Sequence, residues 1–163
     1  MNRSTAAATF AVLLAAFGIL STPAASAAED PPRTDPRILE MLEAIPGGVA
    51  VSATYAVWPE LGMDMIVPSS SAVGSVAARS VVSCPTGRVC AFGATGASSA
   101  NGMLSWTSCN TSFPVGTFTV RSIADARSTG YAQARSRTAT LATAYAGEWK
   151  NVYGTTYRVS CYT

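Results

Sequence analysis

The side chains that most often carry out chemistry in proteins are scarce in this sequence. It contains no histidine, and Lys150 is its single lysine. The lack of histidine excludes Ser-His-Asp and Cys-His catalysis and every metal site built on imidazole. The remaining catalytic options are a carboxylate pair, Asp125 with Glu148, or a serine-lysine dyad on Lys150, and no surrounding motif supports either. The sequence therefore favours a binding protein over an enzyme.

Four cysteines are the other reactive side chains, at Cys84, Cys90, Cys109 and Cys161. Four cysteines can pair in three ways, and the sequence alone does not choose among them. We expect Cys84 to pair with Cys90, closing a tight loop, and Cys109 to pair with Cys161, tying the end of the chain to its middle. A zinc site is the alternative, but no two cysteines have the short spacing that zinc sites favour.

The first 27 residues have the composition of a cleavable signal peptide. Arg3 supplies a positive charge, and the apolar run that follows, residues 10–20, is too short to span a bilayer. Ala25-Ser26-Ala27 gives the small-x-small pattern that signal peptidase requires. We expect cleavage after Ala27 and a secreted protein without a membrane segment, and an uncleaved anchor is the alternative. Secretion places the cysteines in an oxidising compartment, where they form disulfides.

Charge is divided unevenly along the rest of the chain. Residues 28–78 carry seven acidic residues and two arginines, whereas residues 79–163 carry eight basic residues and two acidic ones. We expect a boundary near residue 79 between an acidic leader and the main domain. Two interpretations stay open: the leader lies against the basic domain, or both sets of charges are solvated. The arginines are spread singly, without interleaved aromatic residues, which argues against nucleic acid as a partner.

The acidic leader contains signals for a short helix and a β-hairpin. Asp35 and Pro36 are typical of a helix start, and Ile38, Leu42 and Ile45 follow at helical spacing. Residues 49–57 alternate in polarity and are followed by a proline-glycine turn and a second apolar run, residues 63–67. Residues 69–78 are small and lack turn chemistry, which indicates a linker.

The main domain consists of short apolar runs separated by glycine, serine and threonine turns. The predicted strands are residues 89–93, 103–106, 117–121, 128–134, 138–145 and 156–161. Such regular short strands are typical of an all-β sandwich or barrel. A faint internal repeat relates residues 88–92 to 128–135, and the six-residue corners 124–129 and 151–156 to each other. Two Greek-key halves would produce this repeat.

The segment from Cys84 to Cys90, with its Cys-Pro-x-Gly-x-x-Cys pattern, resembles the opening strand of the actinobacterial peptidase inhibitor family I36. Residues 120–128 are similar to a polar corner of that family, and the resemblance extends over about residues 80–163. It implies a βγ-crystallin-like sandwich of two Greek keys, preceded here by the short helix and the β-hairpin. For some members it also implies inhibition of secreted metalloproteases, so the expected partner is a secreted protease.

Inhibitors of this type staple the protease-facing loop of the second key with a local cysteine pair, and residues 137–145 of this chain contain no cysteine. We expect any protease-facing loop to lie at Leu141, Ala142, Thr143, Ala144 and Tyr145, with core packing as the alternative role of Leu141. The alternative function is a non-inhibitory βγ-crystallin-like module of the cell envelope, which binds calcium, a glycan or another protein. The target and the oligomeric state stay open.

Calcium is the one cofactor that the resemblance raises, because the βγ-crystallin corner supplies oxygen ligands suited to a hard cation. The candidate ligands are Asp125, Ser128, Asn151 and Thr155, while alanine and valine replace other ligand positions. The alternative is that both corners form only turns.

A glycan ligand would need exposed aromatic rings. The three tryptophans, Trp58, Trp106 and Trp149, are the candidates for such a platform. Their single placement on predicted strands is also typical of core residues, so packing is the alternative.

Overall fold

The computed structural model describes residues 33–68, 80–81 and 83–163. The predicted signal peptide, its cleavage site and the segment 69–79 lie outside the described residues. The described residues are mostly β, in two antiparallel sheets with one α-helix, as the all-β prediction expected. No helix in these ranges is long and apolar enough to cross a membrane.

The single α-helix, α1 (Pro36–Ala44), begins where the sequence predicted. Asp35 is its N-cap, and the Asp35 carboxylate accepts a hydrogen bond from the backbone N–H of Arg37 at 2.9 Å. Hydrogen bonding from the Arg37 guanidinium to the same carboxylate lowers the pKa of Asp35. Ile38 and Met41, on one face of the helix, are buried. The apolar spacing therefore directs this face into the core.

The predicted hairpin is a meander of three strands, β1 (Val49–Ser52), β2 (Tyr55–Trp58) and β3 (Met63–Ile66). The long alternating run is split by a two-residue turn that contains neither glycine nor proline. The Ser52 hydroxyl accepts the backbone N–H of Thr54 at 3.2 Å and so supports this turn. A serine-supported turn gives a weak sequence signal, which is why one strand was predicted instead of two.

Ten further strands follow: β4 (Ser80–Val81), β5 (Cys84–Pro85), β6 (Val89–Phe92), β7 (Met103–Trp106), β8 (Thr111–Pro114), β9 (Ser122–Asp125), β10 (Tyr131–Arg135), β11 (Thr140–Tyr145), β12 (Trp149–Asn151) and β13 (Arg158–Tyr162). Seven strands form one sheet in the order β1-β2-β3-β7-β6-β9-β12, and four form the other in the order β11-β10-β13-β8. Strands β4 and β5 pair with each other alone.

One predicted strand is wrong, and three strands of the two large sheets were missed, besides the short pair β4 and β5. Residues 117–121 were predicted as a strand, but they lie in the connection between β8 and β9. The missed strands are β8, β9 and β12, of which β8 contains proline and serine and β12 has only three residues. Short strands with a polar composition depend on their partners in the sheet more than on their own propensity.

From β6 onward, the chain forms two successive units of four strands, β6–β9 and β10–β13. In each unit the third strand crosses to the other sheet: β8 pairs with β13, and β12 pairs with β9. The predicted repeat places β6 and β10 in equivalent positions, as the first strands of the two units. The two predicted corners are not equivalent, because 124–129 begins within β9, the last strand of the first unit, whereas 151–156 begins at the end of β12 and precedes the last strand of the second.

The main core lies between the two sheets and extends under α1 and the first three strands. Ile38 of α1 and Met65 of β3 belong to the same buried cluster as Leu104, Ile123 and Val159 of the two sheets. Strand β3 pairs directly with β7. The expected boundary near residue 79 therefore does not separate two cores, because buried residues on both sides of it belong to one cluster.

Candidate functional site

Both predicted disulfides are present. Cys84 pairs with Cys90, with Cα atoms 5.7 Å apart, and Cys109 pairs with Cys161, with Cα atoms 5.0 Å apart. No cysteine is free. The zinc alternative is therefore wrong. The Cys84–Cys90 bridge lies in a small second cluster, with Phe92 and Met103, on the outer face of the seven-stranded sheet.

The five candidate protease-facing residues lie in a strand and not in a loop. Leu141, Ala142, Thr143, Ala144 and Tyr145 belong to β11, which pairs with β10 and forms one edge of the four-stranded sheet. Ala144 is buried, and Leu141 packs against the core, as its alternative role predicted. The small alternating residues fit the inner face of a strand, so the segment pairs with β10 instead of projecting as a loop.

Two of the four candidate calcium ligands, Asp125 and Asn151, form hydrogen bonds within the protein. Asp125 is fully buried, and its carboxylate accepts hydrogen bonds from the Arg127 backbone N–H at 3.1 Å and the Arg127 side chain at 2.9 and 2.6 Å. Asn151 accepts the backbone N–H of Gly96 at 2.9 Å, while Ser128 and Thr155 are exposed. No group of three or more Cys, Asp or Glu side chains that could hold a metal occurs among the described residues.

The three tryptophans do not form a platform. Trp58 and Trp106 are each 1% exposed, and Trp106 stacks on Phe113 with ring centroids 5.3 Å apart. The indole N–H of Trp58 donates to the Ile45 carbonyl at 2.7 Å and so ties β2 to the end of α1. Trp149 alone of the three is appreciably exposed. The core alternative is therefore correct for Trp58 and Trp106.

A polar network links the acidic leader to the basic part of the chain. The Arg88 guanidinium donates to Asp64 at 2.5 Å and to the Ser105 hydroxyl at 2.8 Å, and the Ser105 hydroxyl donates to Asp64. Burial, and then the negative charge of Asp64, raise the pKa of Tyr55, whose hydroxyl lies 3.5 Å from that carboxylate. The interpretation in which the leader lies against the basic domain is thus correct at this ion pair.

Three tyrosines form a row across the outer face of the four-stranded sheet. Tyr131 of β10 lies opposite Tyr145 of β11 on one side and Tyr162 of β13 on the other. The Tyr131 and Tyr162 rings stack with centroids 4.9 Å apart, and the Tyr131 and Tyr145 rings are tilted at 6.1 Å. We name Tyr145, Tyr131 and Tyr162 the tyrosine row. No local sequence pattern marks this row, because only the strand register brings the three residues together.

Short hydrogen-bonding side chains form the next row on the same face. The Gln133 amide donates to the Thr143 hydroxyl at 3.3 Å, and the hydroxyls of Ser112 and Ser160 lie 3.0 Å apart. Gln133 is opposite both Thr143 and Ser160, and Ser160 is opposite Ser112. We name these four residues the polar row. Their neighbours along the strands, such as Ala132 and Ala134, are buried on the inner face, as strand alternation requires.

Arginines occupy the far end of this face. Arg135 lies opposite Arg158, and the guanidinium of Arg137 lies over the Tyr157 ring, 4.5 Å from its centroid. A shallow depression of about 500 Å³ is lined by Ser112, Pro114, Arg137, Tyr157 and Arg158. None of these three arginines forms an ion pair with any part of the chain that the structure describes. The Nε of Arg135 is buried without a hydrogen-bond partner. This end of the face is therefore cationic and uncompensated.

The chain matches no protein-family model, no curated protein and no solved structure. The candidate site is the outer face of the four-stranded sheet together with its edge strand β11. It combines aromatic rings, hydroxyl and amide groups and uncompensated guanidinium groups. Such a set of groups supports binding by stacking, hydrogen bonding and charge.

Proposed function

We propose that this chain is an exported binding protein of the I36 inhibitor type, with a βγ-crystallin-like fold of two Greek keys. The exchange of β8 and β12 between the two sheets supports two interlocked keys. The Cys84–Cys90 bridge, which closes the Cys-Pro-x-Gly-x-x-Cys segment, supports the resemblance to the family. Two disulfides accord with folding in an oxidising compartment.

The partner proposed on this basis is a secreted metalloprotease, and the contact is the free edge of β11. The observation that carries this proposal is that the segment expected to face a protease is an extended edge strand, which ends in Tyr145 with 59% of its surface exposed. An extended peptide can pair with the edge of another protein's sheet, and a strand already fixed in that shape loses little entropy on binding. Pairing along β10 fixes β11 in this extended shape.

The test is a titration of the mature chain, residues 28–163, against a thermolysin-like metalloprotease and, in parallel, a serine protease. Residual metalloprotease activity should fall linearly and vanish near equimolar inhibitor. Tyr145→Ala should weaken inhibition about tenfold, because exposed tyrosines are common hot spots of binding. Tyr153→Ala is the matched control, since Tyr153 is 77% exposed but lies between β12 and β13. Full activity of both proteases in a tenfold excess of the chain would exclude this function.

A second candidate function is a non-inhibitory binding module of the cell envelope. The tyrosine row and the uncompensated arginines favour it, because they lie on the face of the sheet and not on its edge. A chain that leaves proteases active but retains a ligand on this face would be such a module.

A further inference from the structure

We propose that the outer face of the four-stranded sheet binds an acidic polysaccharide, with sugar rings on the tyrosine row and carboxylates on the arginines. This inference rests on the second candidate function, for which it names the ligand class, and it does not depend on protease inhibition. It is carried by the order of three rows on one face: aromatic, polar and cationic.

The tyrosine row supplies a stacking surface. It crosses three adjacent strands, so its rings form a strip about 10 Å long at the ordinary spacing between strands. The faces of aromatic rings carry partial negative charge and attract the weakly positive C–H groups of a sugar ring. Tyr145, at the free edge, is 59% exposed, and the strip is therefore open at that end. An extended glycan can lie across it without a deep pocket.

Three members of the polar row, Ser112, Gln133 and Thr143, are at least partly exposed and supply groups that match sugar hydroxyls, whereas Ser160 is buried and hydrogen-bonds Ser112. Hydroxyl and amide side chains both donate and accept hydrogen bonds, as sugar hydroxyls do. Gln133 and Thr143 each lie two residues along their strands from a tyrosine of the row, a distance of about 7 Å. A sugar ring stacked on a tyrosine therefore has hydrogen-bonding groups beside it on the same face.

The arginine end selects a negatively charged glycan. Strands β8, β10, β11 and β13 contain no aspartate or glutamate. Guanidinium groups bind carboxylates through paired hydrogen bonds. Stacking on Tyr157 orients the Arg137 guanidinium beside the depression that Arg158 also lines. A neutral glycan has no carboxylate to pair with these guanidinium groups. An acidic peptide has no sugar rings or sugar hydroxyls to match the tyrosine row and the polar row.

The experiment measures binding of the oxidised mature chain to four polymers by isothermal titration calorimetry. Polygalacturonate and alginate carry both sugar rings and carboxylates. Fully methyl-esterified polygalacturonate keeps the sugar and loses the charge, and poly-L-glutamate keeps the charge without the sugar. We expect at least one acidic polysaccharide to bind about tenfold more tightly than either control polymer, and to weaken as salt is raised.

Each other outcome overturns the proposal. No binding of either acidic polysaccharide would remove the glycan site. Equal binding of poly-L-glutamate would reduce the surface to a nonspecific cationic patch. If the methyl ester bound as tightly as the acidic polysaccharides, the arginines would have no role in recognising carboxylates.

Variants locate the site on the sheet face. Tyr162→Ala and Arg158→Ala should each weaken polysaccharide binding about tenfold, while Tyr153→Ala and Arg121→Ala serve as matched controls outside the three rows. Arg121 is exposed and precedes β9. Near-ultraviolet circular dichroism checks that each variant is folded, and Tyr145→Ala replaces Tyr162→Ala if the latter is not. Equal losses in the controls would place the site elsewhere.

Protease inhibition is measured on Arg158→Ala in parallel. Arg158 lies on β13, which β10 separates from the edge strand β11. Loss of glycan binding with inhibition retained would separate the two functions. A third outcome is that Tyr145→Ala loses inhibition while the parent chain binds no polysaccharide. This outcome would support the edge-strand proposal and refute only the glycan site.

Discussion

Arg127 neutralises the buried carboxylate of Asp125 at one end of the sandwich. The Arg127 side chain is 12% exposed, and it also donates to the Tyr162 carbonyl at 3.0 Å. It thus ties the end of β9 to the last strand of the other sheet. In the sequence, Asp125 resembled a calcium ligand because an acid in a polar corner is typical of one. In the structure, both carboxylate oxygens of Asp125 accept hydrogen bonds from the Arg127 side chain.

Replacement of Arg127 should lower the free energy of unfolding, because the buried charge of Asp125 would lose its partner. Arg127→Met leaves the Asp125 carboxylate without its partner and should lower the free energy of unfolding by about 3–5 kcal/mol. Urea denaturation measures the change, and the exposed Arg121→Met should change it by less than about 0.5 kcal/mol. Equal effects of the two substitutions would mean that the Asp125 pair contributes nothing beyond an ordinary surface charge.

Single residues differ in how far their roles could be predicted. The N-cap role of Asp35 and the Cys84–Cys90 bridge depend on neighbours in sequence, and both were predicted correctly. The tyrosine row depends on which strands pair and in what register, since a shift by one residue would turn every side chain to the opposite face. Tyr131 and Tyr162 are 31 positions apart in the sequence, so no local pattern relates them.

At the scale of elements, the leader strands are structural parts of the main sheet. Met63 of β3 lies opposite Trp106 of β7, and both side chains are buried. The composition change near residue 79 predicted a domain boundary, but a linker in the sequence does not tell whether the segments on either side share a sheet. Strand pairing between distant segments is a property of the whole chain, and the sequence of β3 alone cannot reveal its partner.

A chain that begins at residue 80 should therefore not fold. Its loss of α1 and β1–β3 would uncover the apolar face shared with Leu104 and Trp106, which are at most 1% exposed. We expect the chain from residue 28 to unfold in one cooperative thermal transition, and the chain from residue 80 to show none. A cooperative transition of the shorter chain would restore the boundary near residue 79.

At the scale of the whole molecule, the two disulfides constrain the unfolded chain to different extents. Cys109 and Cys161 are 52 residues apart in the sequence, whereas Cys84 and Cys90 are 6 apart. In the chain-entropy model the long loop contributes about 4 kcal/mol and the short loop about 2 kcal/mol.

Replacement of each pair by serine tests this difference. The Cys109→Ser/Cys161→Ser variant should lose about 2 kcal/mol more stability in urea than the Cys84→Ser/Cys90→Ser variant. Peptide mapping of the parent chain checks the pairing first. An equal loss in the two variants would show that local packing around Cys90, which is fully buried, outweighs loop closure.

The all-β class was predictable because alternation and turn residues recur along the main domain. The assignment of strands to sheets was not, since β8, β9 and β12 have weak local signals. Two of them, β8 and β12, are the strands that cross between the sheets. The two strands that interlock the sheets are therefore among those with the weakest local sequence signals.

The crossing of β8 and β12 also affects resistance to proteolysis. Strand β8 lies in one sheet while β7 and β9 lie in the other, and β12 is placed likewise between β11 and β13. The two sheets therefore cannot separate along the core unless the hydrogen-bond ladders of both are broken. Openings of the core that would present several extended residues to a protease then require the ladders of both sheets to break. The native fold is therefore suited to resist cleavage by proteases.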